Sequence, residues 1–425
     1  MRCTMDHPYF QRHKSFKPAI SYTPQANLGI VVVLPSYNEP NLWTSLQSLL
    51  NCQLPQCDTE VIVVVNFPEA SPDDVIENAI SCIDIVDKVD KICNNEKLRF
   101  VALKAFDLPK KHAGVGLARK TGMDEAAWRL MQSASQTKII ACFDADATCS
   151  PNYLVELEKL WLDYPETAAC SIRYEHPIAG TEFDQQIYTG IAQYELHLRY
   201  YVQAGRFIGH PFSYQTVGSS MACSANAYLK FGGMNKNKAG EDFYFLQKII
   251  PHGNFREINS ATIFPSPRTS HRVPFGTGRA MTKYLENNTE EYLTYNLNSF
   301  LSLKNFLFTA QSHLFNPTDS KLAQFLDEQP DPLKEFLHAN GFTKAIFEIN
   351  SNTSQPESFV KRFFLWFDAF KLLKYLNYAH EHYFDKQPVT AAASSLLSLI
   401  DSTYQQEKLS TNYLLTEYRR LDAST

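Results

Sequence analysis

The sequence has no apolar run approaching the length of a membrane span, and its first 24 residues lack the apolar core of a secretion signal. Nor does it carry an excess of positive charge: 40 Lys and Arg stand against 45 Asp and Glu, a net charge of −5. Without a basic field over the chain, nucleic acid is not an expected partner. No Cys-x-x-Cys pair offers zinc its usual spacing, and the nine cysteines are scattered, odd in number and without a disulfide framework. That usage fits a reducing compartment, with Cys142, Cys170 and Cys223 serving as small hydrophobes inside apolar runs. Internal repeats and low-complexity tracts are lacking as well. These absences leave a soluble, cytoplasmic chain as the expectation, with docking of a peripheral helix at a membrane surface still open.

Hydrophobic residues make up 44% of the 425, enough to bury a large core over two domains. Residues 1–27 are polar and aromatic without clear period and read as an arm. A continuous β-branched run at 28–34 predicts a strand covered on both faces, ending in the turn cluster Pro35-Ser36-Tyr37-Asn38-Glu39-Pro40. Leu42, Leu46, Leu49 and Leu50 follow at helical spacing; strands at 61–65 and 99–105, a helix over 115–131 and a strand at 138–143 come next. Ser150-Pro151 reads as the N-cap and first residue of a helix running through 153–162, with a strand at 168–174 behind it. This alternation predicts a mostly parallel α/β sheet with right-handed crossovers. A Tyr-rich helix at 181–204 and a short strand at 216–222 follow; Ser224 then caps a helix closed by Gly232-Gly233, and Gly240-Glu241-Asp242 opens another, through 250. From about 281 aromatic and Leu-rich helices take over. The expected division is an arm at 1–27, an α/β domain at 28–280 and a helical region at 281–425.

Residues 140–146, Ile-Ala-Cys-Phe-Asp-Ala-Asp, run an apolar strand into two carboxylates. A side-chain period of two would set Asp144 and Asp146 on one face at the strand's exit. Two such charges repel and raise one pKa unless a cation neutralises them. Mn²⁺ or Mg²⁺ holding a polyphosphate would do so, because Mg²⁺ takes one or two carboxylates and fills its shell with water and phosphate oxygens. A solvated acidic turn is the plainer alternative. In open α/β sheets ligands bind beyond the carboxyl ends of the strands, and segments 35–39 and 144–146 converge there with Asn66.

Val31-Val32-Val33-Leu34-Pro35-Ser36-Tyr37-Asn38-Glu39 resembles the opening strand and nucleotide loop of family 2 glycosyltransferases of the GT-A fold, and Asp144-Ala145-Asp146 resembles their D-x-D. Segments 218–221 and 225–228, Gly232-Gly233 and Gly240-Glu241-Asp242 are similar to that family's acceptor half, and the whole similarity spans roughly 28–280. The resemblance implies a Rossmann-like mixed sheet flanked by helices. It also implies metal-dependent, inverting transfer of a sugar from a nucleoside-diphosphate sugar to an acceptor hydroxyl. By position, Pro35, Tyr37 and Glu39 would line the nucleoside pocket, and Asn66 replaces the usual Asp, which weakens the case for uridine. Arg119, within Gly114-Val115-Gly116-Leu117-Ala118-Arg119, would approach the diphosphate. Asp146 would be the direct metal ligand with Asp144 nearer the sugar, and His271 would complete the shell while Arg268 or Arg272 clamps phosphate. Asp242 would be the base and Glu241 would orient substrate. The acceptor would be a glycan, a lipid-linked or a small molecule. Tyrosines within 188–201 would stack on its rings or simply form core, and the helices from 281 would shape its site or a homodimer interface.

Two other readings remain at this point. Asp144-Ala145-Asp146-Ala147-Thr148 also resembles the D-x-D-x-T of haloacid-dehalogenase-type phosphatases, although that motif belongs on a first strand and here three precede it. A non-catalytic sugar-nucleotide or glycan-binding scaffold on the same fold is the other.

Overall fold

The computed structural model describes residues 7–238, 240–270, 276–286, 291–404 and 409–424. It divides into two compact units, one of Met1–Tyr188 with Thr216–Lys283 and one of Thr189–Gln215 with Tyr284–Thr425. Pro8–Arg12 forms α1. Leu28–Ser36 (β1), Leu42–Leu50 (α2), Asp58–Pro68 (β2), Asp73–Cys93 (α3), Leu98–Leu108 (β3), Val115–Leu130 (α4) and Ile139–Cys142 (β4) then alternate. Thr148–Cys149 (β5), Tyr153–Asp163 (α5), Ala169–Tyr174 (β6), Gln185–Phe207 (α6), Met221–Ser224 (β7), Ala225–Lys230 (α7), Glu241–Ile249 (α8), Phe255–Phe264 (β8) and Thr277–Glu286 (α9) follow. Among the described residues, the elements of the second unit from Leu297 onward are helices, apart from one strand of a two-stranded ribbon, Leu293–Thr294 against Gln387–Pro388. No helix among the described residues is long and apolar enough to cross a membrane.

The first unit is built on an eight-stranded sheet in the order β3-β2-β1-β4-β7-β6-β8-β5. From β3 to β4 neighbours are parallel, with Val33 opposite both Ile62 and Cys142. The uninterrupted apolar run of β1 is accounted for, because Leu28 to Leu34 are all buried between helical layers. Beyond β4 the sheet is mixed: β7 runs antiparallel to β4 and β6, and β5 antiparallel to β8. The reversal enters at β7, which follows the excursion through α6 and is not tied to a β-α-β crossover. Two elements escape the sequence pattern. In α3 the buried residues Val75, Ala79, Cys82, Val86 and Val89 form one apolar stripe. Strand β8, Phe-Arg-Glu-Ile-Asn-Ser-Ala-Thr-Ile-Phe, is only half-buried and carries too many polar side chains to read as a core strand.

Ser150 is not a helix cap. Helix α5 starts at Tyr153 behind Asn152, and the Ser150 hydroxyl instead accepts from the Thr262 amide (2.9 Å) and donates to Asn152 Oδ1 (2.7 Å), joining this turn to β8. Ser224 does cap α7, accepting from the Ala227 amide at 3.1 Å.

Helix α4 has no apolar stripe because it is covered on every side. Gly122 lies against Val33 and Val64, so close that a Cβ would fall 2.4 Å and 2.7 Å from their methyl groups. Its charged residues Lys120, Asp124, Glu125 and Arg129 are buried beneath the arm. Tyr9 and Tyr228 each donate to Asp124 Oδ1 at 2.6 Å, and Lys120 donates to Tyr9 Oη at 2.6 Å. Glu125 accepts from the Ala19 amide (2.9 Å), and Arg129 pairs bidentately with Glu60 of β2 (2.6 and 2.7 Å) while donating to Tyr22 O. The arm is thus a strap whose polar groups complete a buried network. Asp124→Ala strands Lys120 in that network without its carboxylate. It is expected to lower stability by about 3–5 kcal/mol, against about 1 kcal/mol for Tyr9→Phe, as read from urea-unfolding midpoints by circular dichroism.

Candidate active site

Strand β4 ends at Cys142, two residues before the acidic pair. Asp144 and Asp146 therefore stand in a turn, closed by the Ala147 amide donating to Asp144 O (3.0 Å), and not on one face of a strand. Helix α2 fixes the turn from behind, where the Ser45 hydroxyl donates to Ala145 O at 2.7 Å. Sequence reasoning missed Ser45, although a lone hydroxyl between Leu42 and Leu46 on an apolar helix face was a signal for a buried partner.

Each aspartate meets a different arginine. Arg119, in the second turn of α4, is 2% exposed and donates from Nη2 to Asp144 Oδ1 at 2.7 Å and from Nη1 to Glu241 Oε1. Glu241 is the first residue of α8, behind Gly240 in the left-handed region (φ 69°), where glycine carries no Cβ penalty. Asp242 accepts from the Phe243 amide at 2.7 Å, and its Oδ2 lies beside Gly218, where a Cβ would sit 2.9 Å away and 2.8 Å from Arg119 Nη1. Three carboxylates, Asp144, Glu241 and Asp242, thus surround one buried guanidinium.

Electrostatics follow from that count. Charge from Glu241 and Asp144 holds the Arg119 proton more tightly despite its burial, so this cation is permanent. Burial pushes Glu241 up to about 7, opposed by Arg119 and reinforced by Asp242. Asp242 is raised in the same way, burial outweighing Arg119 and the amide bond.

The second arginine, Arg268, lies four residues past β8. Its Nη1 donates to Glu39 Oε1 at 2.8 Å, its Nη2 to Glu39 Oε2, and Nη2 also pairs with Asp146 Oδ2 at 2.7 Å. Glu39 is 2% exposed and also accepts from the Asn41 amide, so both its oxygens are engaged within the protein. Pro35 and Tyr37 are half-buried on the same loop. Asn66 is buried and uses its amide hydrogens on Ser36 O (3.0 Å) and Val64 O (3.1 Å), bracing the ends of β1 and β2. The structure therefore brings Glu39, Arg119, Asp144, Asp146, Glu241, Asp242 and Arg268 together in two charge clusters joined by one turn. His271 and Arg272 lie outside the described residues.

Two carboxylates from one turn give an all-oxygen donor set suited to Mg²⁺ or Mn²⁺, whose remaining positions go to water and phosphate oxygens. No group of three or more His, Cys, Asp or Glu side chains gathers around a common point among the described residues. Asp144 and Asp146 thus fit a cation that arrives with a ligand of its own, not one caged by protein.

A mixed α/β sheet with an acidic turn beyond its fourth strand and helices on its faces places the first unit in the GT-A class. Residues 31–221 match the family model described as Glycosyl transferase family 2. Among solved structures it is similar to S. aureus TarS 1-349 in complex with UDP-GlcNAc, at 16% identity and a TM-score of 0.38 over 73% of this chain and 86% of that one. TarS 1-349 in complex with UDP aligns at 15% identity and a TM-score of 0.36 over 70% and 78%. No curated protein matches the chain.

The raised Glu241 carries a stability signature. A carboxyl that binds its proton more tightly folded than unfolded adds stability below pH 4.5, and that contribution is lost as pH rises towards about 7. The stability of wild type relative to Glu241→Gln is therefore expected to fall as pH rises across this window, as read from urea-unfolding free energies. A difference that stays flat would mean that Arg119 keeps Glu241 ionised throughout.

Proposed function

We propose that this domain transfers a glycosyl group from a nucleoside-diphosphate sugar to an acceptor hydroxyl, with inversion at the anomeric carbon. The observation that carries this reading is the shared guanidinium: Arg119 joins Asp144 of the acidic turn to Glu241, the neighbour of Asp242, so donor-side and acceptor-side acids form one unit. Asp242 acts as the base. Its half-buried carboxylate holds its proton more tightly than a solvated one, which suits removal of a hydroxyl proton in the transition state. Glu241, deeper and tied to Arg119, positions Asp242 and does not touch the acceptor. Arg119 itself is a positioning residue, its guanidinium being committed to carboxylates.

Asp146 and Asp144 would hold Mn²⁺ or Mg²⁺, which when bound supplies positive charge to the departing diphosphate. Pro35 and Tyr37 border the nucleoside, and Asn66 supports that loop through its two carbonyl contacts. The acceptor is a glycan, a lipid-linked or a small molecule, and the helical region from 281 is assigned to shaping its site or pairing two copies. A phosphatase acting through Asp144 is disfavoured because the acidic turn lies after three strands, whereas that motif belongs on a first strand.

A thermal-shift screen of UDP- and GDP-sugars with and without Mn²⁺ tests the reading. At least one donor is expected to raise the melting temperature in a Mn²⁺-dependent way, and Asp146→Ala is expected to abolish that rise. Asp242→Asn is expected to keep the donor-induced rise while lowering transfer by about 10²–10⁴-fold. Turnover undiminished in Asp242→Asn would remove Asp242 from the role of base. Absence of a Mn²⁺-dependent shift with every donor would overturn the whole reading.

A further inference from the structure

Helix α2 carries a strip of small polar side chains along the face that meets the acidic turn. Ser45, Ser48 and Cys52 stand at intervals of three and four residues, so they follow one side of the helix into the turn beyond it. The Ser45 hydroxyl holds Ala145 O, the Ser48 hydroxyl lies 3.8 Å from Cys149 Sγ, and Cys52 Sγ lies 3.6 Å from the same sulfur. Beside the cysteines the Gln53 amide donates to Pro151 O at 2.7 Å, which fixes the two backbones to each other. Cys149 lies in β5, shortly after Asp146, and both thiols are free. Among the described residues no other two cysteines are hydrogen-bonded to each other. Buried free cysteines are ordinarily inert packing groups. This pair differs because each sulfur faces a second thiol. Cys52 and Cys149 also border solvent at 6% and 9% exposure, whereas Cys142, Cys170 and Cys223 are sealed in the core.

We propose that Cys52 and Cys149 are a redox-sensitive pair that hydrogen peroxide closes into an intramolecular disulfide, fastening α2 to the strand that follows the acidic turn. Sulfurs this near need only side-chain rotation to pass from 3.6 Å to the about 2.05 Å of an S–S bond. The hydrogen bond from Cys149 lowers the Cys52 pKa against the effect of burial, and the same bond raises that of Cys149. Cys52 is therefore the thiol that ionises and attacks. Its thiolate takes one oxygen of the peroxide as a sulfenic acid, and the other oxygen leaves with the proton that Cys52 lost, as water. The Cys149 sulfur then displaces the sulfenic hydroxyl. An S–S bond forms, the S–O bond breaks, and the Cys149 proton departs with the hydroxyl as a second water. Two thiols are oxidised, one peroxide is reduced, and a dithiol reductant restores the pair by exchange. A bond across 97 positions restricts the unfolded chain, so the oxidised protein is the more stable form. In the folded protein it gives the acidic turn a second fixed point beyond Ser45. What this fastening does to glycosyl transfer rests on the donor reading above, whereas formation of the bond does not.

Hydrogen peroxide treatment of the whole chain, followed by alkylation of free thiols and peptide mass spectrometry, tests the inference without nucleotide or metal. A peptide pair joined through Cys52 and Cys149 is expected, reversible by dithiothreitol, while Cys142, Cys170 and Cys223 stay reduced. The oxidised protein is expected to melt about 5 °C or more above the reduced form. Hydrogen exchange of the amides in 144–150 is expected to slow about tenfold in the oxidised form. Cys52→Ser and Cys149→Ser nearly keep the packing and remove the bond, so peroxide is expected to leave their melting temperature and exchange unchanged. A joined peptide that forms only after urea unfolding, or none in folded wild type, overturns the inference. A joined peptide with unaltered exchange at 144–150 overturns the fastening of the turn. Donor binding enters neither outcome, so failure of the donor reading leaves this test as it stands.

Discussion

A guanidinium without access to water has to be surrounded by anions, and much of the site is arranged around meeting that demand at Arg119. The depth of the residue is set by where α4 can go. Gly122 lets the helix lie directly on Val33 and Val64, and Gly116 lets the Asn237 carbonyl come so near that a Cβ would fall 2.0 Å from its oxygen. Those two contacts bring α4 against β1 and β2 on one side and against the loop ahead of α8 on another. Arg119 then has no route to solvent, and Asp144 and Glu241 supply the charges it needs. Breaking either pair would leave an unbalanced buried charge, so the acidic turn and the start of α8 are held in register by electrostatics as much as by packing.

The same helix explains the arm. A helix buried on all sides must still satisfy its polar residues, and in α4 those are Lys120, Asp124, Glu125 and Arg129. The strap from Tyr9 to Tyr22 provides a hydroxyl, two amides and a carbonyl for them, and Glu60 of β2 neutralises Arg129. The arm therefore lies at the surface for most of its length yet completes a network in the interior. Its influence reaches the site because α4 carries Arg119 and is anchored at its middle by Asp124, five residues further on.

Much of this was legible in the chain and some was not, for physical reasons. Buried parallel strands announce themselves as apolar runs, so β1, β2 and β4 could be read, and the acidic pair after β4 marked the place for chemistry. Helix α3 was not read, although Val75, Ala79, Cys82, Val86 and Val89 stand at helical spacing. Strand β8 was not, because its pattern follows neighbours on both edges and not a simple inside and outside. The geometry of Asp144 and Asp146 was misjudged through a period-of-two rule applied beyond the last residue of the strand. The pairings were least accessible of all. Arg119 and Glu241 are 122 positions apart, Glu39 and Arg268 are 229, and a sequence states the charges without stating which will meet.

The two aspartates end up with different freedoms although one residue separates them. Asp144 is tied to a guanidinium that the fold cannot release, and Ser45 holds the carbonyl between the pair, so that side of the turn is a fixed reference. Asp146 is tied to a guanidinium whose stronger attachment is to Glu39. A turn with both members fixed would have nothing to offer a ligand, and one with both members free would have to be ordered at the moment of binding, at an entropic cost. Fixing one carboxylate through α4 while the other stays a quarter exposed gives a turn that is ordered on one side and open to solvent on the other.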